Sequence, residues 1–307
     1  MEGTKGMPNY DAVVSEITEI RSTYIRDRFA FVPGAQLTRI VKGLGATDDD
    51  LKSLTTVSDG LKSDPTLPFR KTRTGRFGFD PWSMRVRRLE FQPFMLSMED
   101  DFVRHDSGQV RNFDEIQNDL QLNTALQALL VFKFMVFEGV TVTHRPKLDY
   151  DSDQWICTLL NVRTITDGDL IGEPALEGVH SDGVDHTMTT YLGSENMTGD
   201  SAVTFLHDMR EVNGTRWHDT DADLVRAKAQ HRDFLDTCLI VDHESKHSVS
   251  TLYAADKSKP ATRDLLAFLT RKPVAEGHHS HSFDSLEPHR ELPMTVGLRL
   301  LDSTPSR

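Results

Sequence analysis

Glu177-Gly178-Val179-His180-Ser181-Asp182-Gly183 sets a histidine and an aspartate one residue apart, with a glycine on either side of the group. In extended backbone, residues i and i+2 project to the same side, so His180 and Asp182 point together and a third metal ligand has to come from a distant segment. Asp242-His243-Glu244-Ser245-Lys246-His247-Ser248-Val249 offers one, with His247 lying 65 residues beyond Asp182 where another strand is expected to begin. His243 competes with His247 for the role. Strand direction and the following Val249 favour His247, which leaves His243 at the surface or bonded to a ligand from outside. His186 would pair with His180 in an alternative zinc site, but no third ligand lies nearby, so it is assigned to the framework or to the lining of a pocket.

Two imidazoles and one carboxylate on one face of a metal leave three positions open, enough for a chelating 2-oxo acid and dioxygen. The carboxylate also argues against the closed tetrahedral arrangement of a structural zinc site. Arg263 lies 16 residues past His247 and is placed to grip the far carboxylate of a 2-oxo acid through a two-pronged hydrogen bond.

Outward from these residues the pattern is one of short strands. Ile156 to Ile165 alternates Cys157, Leu159, Asn161 and Arg163 with Ile156, Thr158, Leu160 and Val162, and the mixed polar face is read as the interior of a ligand-holding barrel. That reading puts Asn161 near the co-substrate and leaves Arg163 between a pocket role and a structural ion pair. Thr251, in phase with His247 and Val249, offers a hydroxyl to the co-substrate. Further strands are expected at 187–192, 202–207, 237–242 and 248–253, separated by turn-rich segments. Strands at this spacing after a helical opening predict a mainly β fold with outer α-helices, built on a double-stranded β-helix (jelly-roll, cupin-like) core.

Residues 1–9 read as disordered, and Tyr10 to Tyr24 as an amphipathic helix. Phe29, Phe31 and Val32 suggest a strand before a turn at Pro33-Gly34. A second helical stretch, 36–54, breaks at Gly43 and Gly45, and 62–71 reads as a loop. Strands are expected from Arg85. The strongest helix spans 113–138, with one face packed on a sheet. Met294 to Leu301 would add a last strand to a polar tail in which His278-His279-Ser280-His281 is taken as a mobile loop. The domain plan is a helical extension (1–74), the barrel (75–272) and a tail (273–307).

A formal net charge of −12 argues against nucleic acid or an anionic membrane surface as partner. Cys157 and Cys238 sit in apolar contexts without CxxC spacing and are read as a reduced, buried pair. The first ten residues lack the apolar run of a signal peptide, and 125–140 is too short and polar to span a bilayer. A soluble cytoplasmic protein is expected.

Together the blocks at Glu177 to Gly183, Asp242 to Val249 and Arg263-Asp264-Leu265-Leu266 resemble the 2-oxoglutarate/Fe(II)-dependent dioxygenases, in particular the group that includes the free L-isoleucine 4-hydroxylase. Gly108, Arg111 and Phe113 match a further Gly-x-x-Arg-x-Phe element of that group. The resemblance covers roughly residues 75–270. It implies Fe(II) held by His180, Asp182 and His247, with 2-oxoglutarate and dioxygen as co-substrates and succinate and carbon dioxide as by-products. It also implies a small-molecule substrate, a free L-amino acid, for which Arg111, Arg163 and His186 are the binding candidates. For Arg111 the competing reading is a bridge to Asp114 or Glu115. A metal-dependent hydrolase and a non-catalytic metal-binding barrel are the rival functions. A halogenase is disfavoured because Asp182 fills the position a halide would need.

Overall fold

Apolar side chains at Val13, Ile17, Ile20 and Tyr24 recur every three to four residues, and in the computed structural model, which describes residues 10–100 and 102–299, they form the buried face of helix α1 (Tyr10–Asp27). The expectations for residues 1–9 and for 300 and 301 lie outside the described residues. After α1 come β1 (Phe29–Val32), α2 (Gly34–Gly43), α3 (Asp48–Leu54), β2 (Arg70–Asp80) and β3 (Arg85–Leu89). A two-residue strand β4 (Asp114–Glu115), α4 (Asn118–Gln121) and α5 (Thr124–Phe137) follow. The rest is strands: β5 (Trp155–Thr166), β6 (His186–Glu195), β7 (Val203–His207), β8 (Val225–Gln230), β9 (Thr237–Val241), β10 (Lys246–Val249), β11 (Ala261–Arg271) and β12 (Thr295–Gly297).

The strands form a jelly roll of two sheets. The larger runs β1-β9-β6-β11-β5-β2-β3-β12, with β4 added to β2, and the smaller runs β10-β7-β8. Every pairing is antiparallel except β2 with β4. The two faces of the larger sheet do different work. Cys157 and Leu159 of β5, Met188 of β6, and Leu266 and Phe268 of β11 face the helices and join the main apolar core. The alternate residues Leu160, Val162, Thr187, Thr189, Leu265 and Ala267 face the smaller sheet across a cavity.

Helix α5 is shorter than the sequence pattern suggests and is wrapped rather than half-exposed. Asn123 starts it by accepting the N–H groups of Ala125 and Leu126, while Asp114 and Glu115 pair with β2 instead. Buried residues run all round α5, because the sheet covers one side and α1, α2 and α3 cover the other. Even Lys133 is buried, its ammonium donating to the carbonyls of His186 and Phe268. Burial lowers its pKa to about 8.

Other departures have local causes. Pro33-Gly34 opens α2 instead of making a turn, since Pro33 is the N-cap and its carbonyl accepts the N–H groups of Gln36 and Leu37. β2 begins inside the expected loop and runs through the division at residues 74 and 75, and β1 pairs with β9, so the first segment contributes to the large sheet. The polar face of β2 hid it: Arg73 and Arg76 are buried only because Asp119 and Asp284 pair with them. Cys157 and Cys238 are free thiols, both buried. Among the described residues, no helix is long and apolar enough to cross a membrane.

Candidate active site

His180 and His247 exchange backbone hydrogen bonds, N to O at 3.0 Å and 2.9 Å, which ties the segment before β6 to the edge strand β10. Directly opposed residues of such a pair carry their side chains on one face, and the two rings stand with centroids 4.2 Å apart. Asp182, two residues on from His180, projects to the same side. Its Oδ1 lies 3.4 Å from His180 Nε2 and its Oδ2 lies 3.7 Å from His247 Nε2. One donor atom from each residue falls within 4.8 Å of the other two. The Nδ1 of His180 donates to the Gly178 carbonyl at 2.9 Å, which leaves Nε2 as the ring atom that faces the cluster. Two imidazole nitrogens and a carboxylate oxygen suit Fe(II).

The flanking glycines hold this geometry. Gly178 has φ +75°, and a Cβ there would stand 2.4 Å from the Thr215 carbonyl oxygen. Gly183 has φ +73°, and its Cβ would meet that of Asp100 at 2.8 Å. Behind the loop, the Asp242 carboxylate accepts the Asp182 N–H at 2.9 and 2.8 Å and is itself held by Arg145 at 3.0 Å. Burial, then the charge of Asp182, raises the Asp242 pKa. Thr187 Oγ1 donates to Asp182 Oδ2 at 2.8 Å. Thr187→Val should therefore weaken metal binding about ten- to a hundredfold, as loss of an outer hydrogen bond usually does. Titration with Mn(II) measures it, and unchanged affinity would remove Thr187 from the site.

The cavity beside these ligands has a volume of about 140 Å³. At one end lies Arg263 of β11, 4% exposed, with Nη2 donating to His231 Nδ1 at 3.3 Å. His231 Nε2 faces the Thr189 carbonyl at 3.2 Å, so it carries the ring proton and Nδ1 is left to accept. Burial, then the Arg263 charge, pushes the His231 pKa down to about 3 and keeps the ring neutral. Elsewhere on the wall, Arg111 lies over the rings of Phe94 at 4.9 Å, Phe102 at 5.5 Å and Phe113 at 5.9 Å. Its Nε and Nη2 are buried without a hydrogen-bond partner among the described residues. Burial, then the neighbouring Arg104, lowers its pKa to about 10, so it stays protonated at neutral pH. The bridges to Asp114 and Glu115 do not form, because those carboxylates pair with Lys62 and with Arg88 and His289.

Several expected residues lie elsewhere. Asn161 and Arg163 are on the helix side of β5. Asn161 accepts from Arg73 at 3.1 Å and donates to Ser58 at 2.8 Å. Arg163 forks onto Asp264 at 2.7 and 2.6 Å and reaches Asp59 at 2.9 Å. Alternation separates two faces without saying which is the interior, and on β5 the cavity takes the apolar one. His186 is out of phase with Thr187 and Thr189, so it is buried among Tyr24, Phe137 and Trp155 with Nδ1 2.8 Å from the Tyr24 hydroxyl. Thr251 follows the end of β10 and donates to Glu173 at 3.2 Å, outside the cavity lining. His243 sits in the turn Asp242–Glu244, outside the ligand cluster. Because Arg163 pairs outside the cavity, Arg163→Lys should leave ligand affinities unchanged and cost about 1–2 kcal/mol of stability. That is a drop of a few degrees in Tm. A selective loss of substrate affinity would return Arg163 to the site.

The tail histidines are also placed differently from expectation. His278 and His279 pack against Asp100, with Nε2 atoms 3.9 and 3.3 Å from its oxygens. The Nδ1 of His278 accepts the Ser280 N–H at 3.0 Å, so its proton is on Nε2, facing Asp100, where a metal would need a lone pair. Residues the sequence left unassigned also line the cavity: Arg70, Arg104, Glu177, Thr189 and His231. Glu177 stood inside the quoted stretch without a role, whereas Arg104 and His231 lie in segments with no periodicity to mark them.

A jelly roll carrying His-x-Asp and a distant His on one inner wall, with a buried arginine across the cavity, defines a mononuclear non-haem iron site of the 2-oxo-acid type. Residues 55–269 match the family described as 2OG-Fe dioxygenase, and the chain belongs to that family. It is 51% identical to the Fe(II)/(alpha)ketoglutarate-dependent dioxygenase TqaL, whose solved structure gives a TM-score of 0.83 over 95% of this chain and 98% of that one. It is also 45% identical over 299 residues, 96% of its length, to the bifunctional enzyme flvA of Aspergillus flavus, and spans 36% of that relative. A bsmA homologue from Methylobium petroleophilum, 19% identical with a TM-score of 0.67 over 83% of this chain and 93% of that one, shares the fold. Family membership brings Fe(II), 2-oxoglutarate and dioxygen, and the donor set of His180, Asp182 and His247 fits them. The narrower group with the isoleucine hydroxylase does not follow from these matches.

Proposed function

We propose that this chain hydroxylates an unactivated carbon of a free L-amino acid, with Fe(II) held by His180, Asp182 and His247 and with Arg263 taking the distal carboxylate of 2-oxoglutarate. The observation that carries the reading is that two buried arginines with unused hydrogen-bonding capacity face one cavity beside the metal ligands. Arg263 Nε and Arg111 Nε and Nη2 lack partners among the described residues. A buried guanidinium without an acceptor is costly, and two of them beside a metal site call for two carboxylates. One belongs to the co-substrate and the other to the substrate.

When bound, iron with 2-oxoglutarate and dioxygen supplies an oxidant able to replace C–H by C–OH, with succinate and carbon dioxide as by-products. The chain supplies position and dryness. Arg263, oriented by His231, fixes the co-substrate's far end. Arg111, pressed between aromatic rings, fixes the substrate carboxylate. Leu160, Leu269 and Phe94 form an apolar wall that suits an aliphatic side chain and excludes water from the reacting carbon. A zinc hydrolase or a storage barrel has no need of the second arginine.

The test is succinate release with Fe(II), 2-oxoglutarate and each proteinogenic L-amino acid in turn, with products examined for the gain of one oxygen atom. One or a few amino acids should raise succinate above the background and gain oxygen. If none does, the amino-acid reading fails. Anaerobic Fe(II) with 2-oxoglutarate should also develop a weak visible charge-transfer band, and a colourless mixture would sink the co-substrate assignment.

A further inference from the structure

Glu177 is the cavity's buried acid that the metal site does not use. Its side chain is 8% exposed, its Oε1 lies 3.3 Å from His180 Nε2, and its Oε2 is reached by Arg104 Nη1 only at 3.4 Å. Arg104 spends its fork on Asp106 instead, at 2.5 and 2.7 Å. Glu177 is also not one of the three residues whose donor atoms cluster within 4.8 Å. A carboxylate removed from water needs a cation or several N–H donors, and the two groups near this one are both committed elsewhere: Arg104 to Asp106, and His180 Nε2, 3.3 Å away, to the metal it would ligate. Arg111, on the wall of the same cavity, has the opposite deficiency: two unpartnered donor nitrogens and one acid, Asp106, no nearer than 3.9 Å.

A hungry carboxylate and a hungry guanidinium facing one small cavity are complementary to a zwitterion. We propose that Glu177 accepts the α-ammonium group of the substrate while Arg111 holds its α-carboxylate, so that the cavity selects a free α-amino acid by both charges. The inference rests on the amino-acid reading above and adds the residue that enforces it. Because Glu177 stands beside the metal-facing nitrogen of His180, an ammonium held there brings the rest of the amino acid against the metal centre. The alternative role for Glu177, a fourth metal ligand, predicts loss of metal with the side chain.

The experiment is calorimetric titration of the protein loaded with Mn(II) and 2-oxoglutarate, which reads binding without turnover. The probes are the proteinogenic L-amino acid that binds wild type most tightly and its 2-hydroxy acid, in which a hydroxyl replaces the ammonium. Wild type should prefer the amino acid by about tenfold or more, the worth of one charge-assisted hydrogen bond. Glu177→Gln should lose roughly ten- to a hundredfold for the amino acid and change little for the hydroxy acid. Glu177→Asp, which keeps the charge, should recover part of the loss. Equal loss for both probes, no loss for either, or release of Mn(II) by Glu177→Gln would each overturn the assignment while leaving the amino-acid reading intact. Should Glu177→Gln not fold, the wild-type preference alone decides, and a ratio near one overturns the proposal. If wild type binds no amino acid although it holds Mn(II) and 2-oxoglutarate, the underlying reading fails first and this one with it.

Discussion

Alanine at His180, Asp182 or His247 abolishes turnover and lowers metal affinity by more than about a hundredfold, the upper range for losing an outer partner of a ligand, while the far-ultraviolet circular dichroism stays that of the folded chain. The expectation follows from the count of protein ligands. Each change removes one of three donors clustered within 4.8 Å. Folding should survive, because the bridge between His180 and His247 is made by backbone atoms and the Asp182 loop is held by its own N–H on Asp242. His243→Ala is the control and should retain metal. A dead His243→Ala beside a working His247→Ala would reverse the choice of third ligand.

The grouping of His180, Asp182 and His247 was legible because it depends only on local rules: i and i+2 share a side in extended backbone, and a strand beginning near Lys246 makes His247 a partner. What lay beyond reach was the side of the sheet. Nothing in the alternation of β5 says whether Asn161 and Arg163 or Leu160 and Val162 look inward, and the polar pair was the natural but wrong choice. Their partners Ser58 and Asp59 come from a segment whose position over the sheet no periodicity records, and Arg73 stands opposite Asn161 on β2, a strand that begins inside the expected loop and helical extension. His186, read as framework or pocket lining, belongs to the framework, because β6 already includes it and turns it to the helix side, opposite Thr187 and Thr189. Arg111 is the opposite case: its bland alternatives, Asp114 and Glu115, were next to it in sequence and bound elsewhere in space.

Cofactor demand also explains why the interior tolerates so much charge. Arg263 and Arg111 are each buried on the cavity wall, and each carries bonding capacity that the described residues do not fill. Such groups cost stability in the free protein and return it when ligands arrive, so Tm should rise as Mn(II) and 2-oxoglutarate are added.

Arg263→Lys raises the 2-oxoglutarate requirement roughly ten- to a hundredfold and leaves the requirement for the proposed amino-acid substrate nearly unchanged. Lysine keeps the charge but loses the planar fork that presents two parallel N–H groups to a carboxylate. One charge-assisted bond of about 1.5–3 kcal/mol corresponds to that range of affinity. The site favours a clean reading, because the guanidinium is 4% exposed and its orientation is set by His231, which in turn is fixed by the Thr189 carbonyl. A lysine ammonium in this place would keep the His231 Nδ1 contact or the carboxylate, and not both with good geometry. His231→Leu should therefore act in the same direction and more weakly, since it loosens the arginine without removing it. Apparent KM for each co-substrate, measured with the other saturating, separates the effects. If Arg263→Lys leaves the 2-oxoglutarate dependence untouched, the distal carboxylate is held by Arg70 or Arg111, the other cavity arginines not already committed to Asp106 by a full fork.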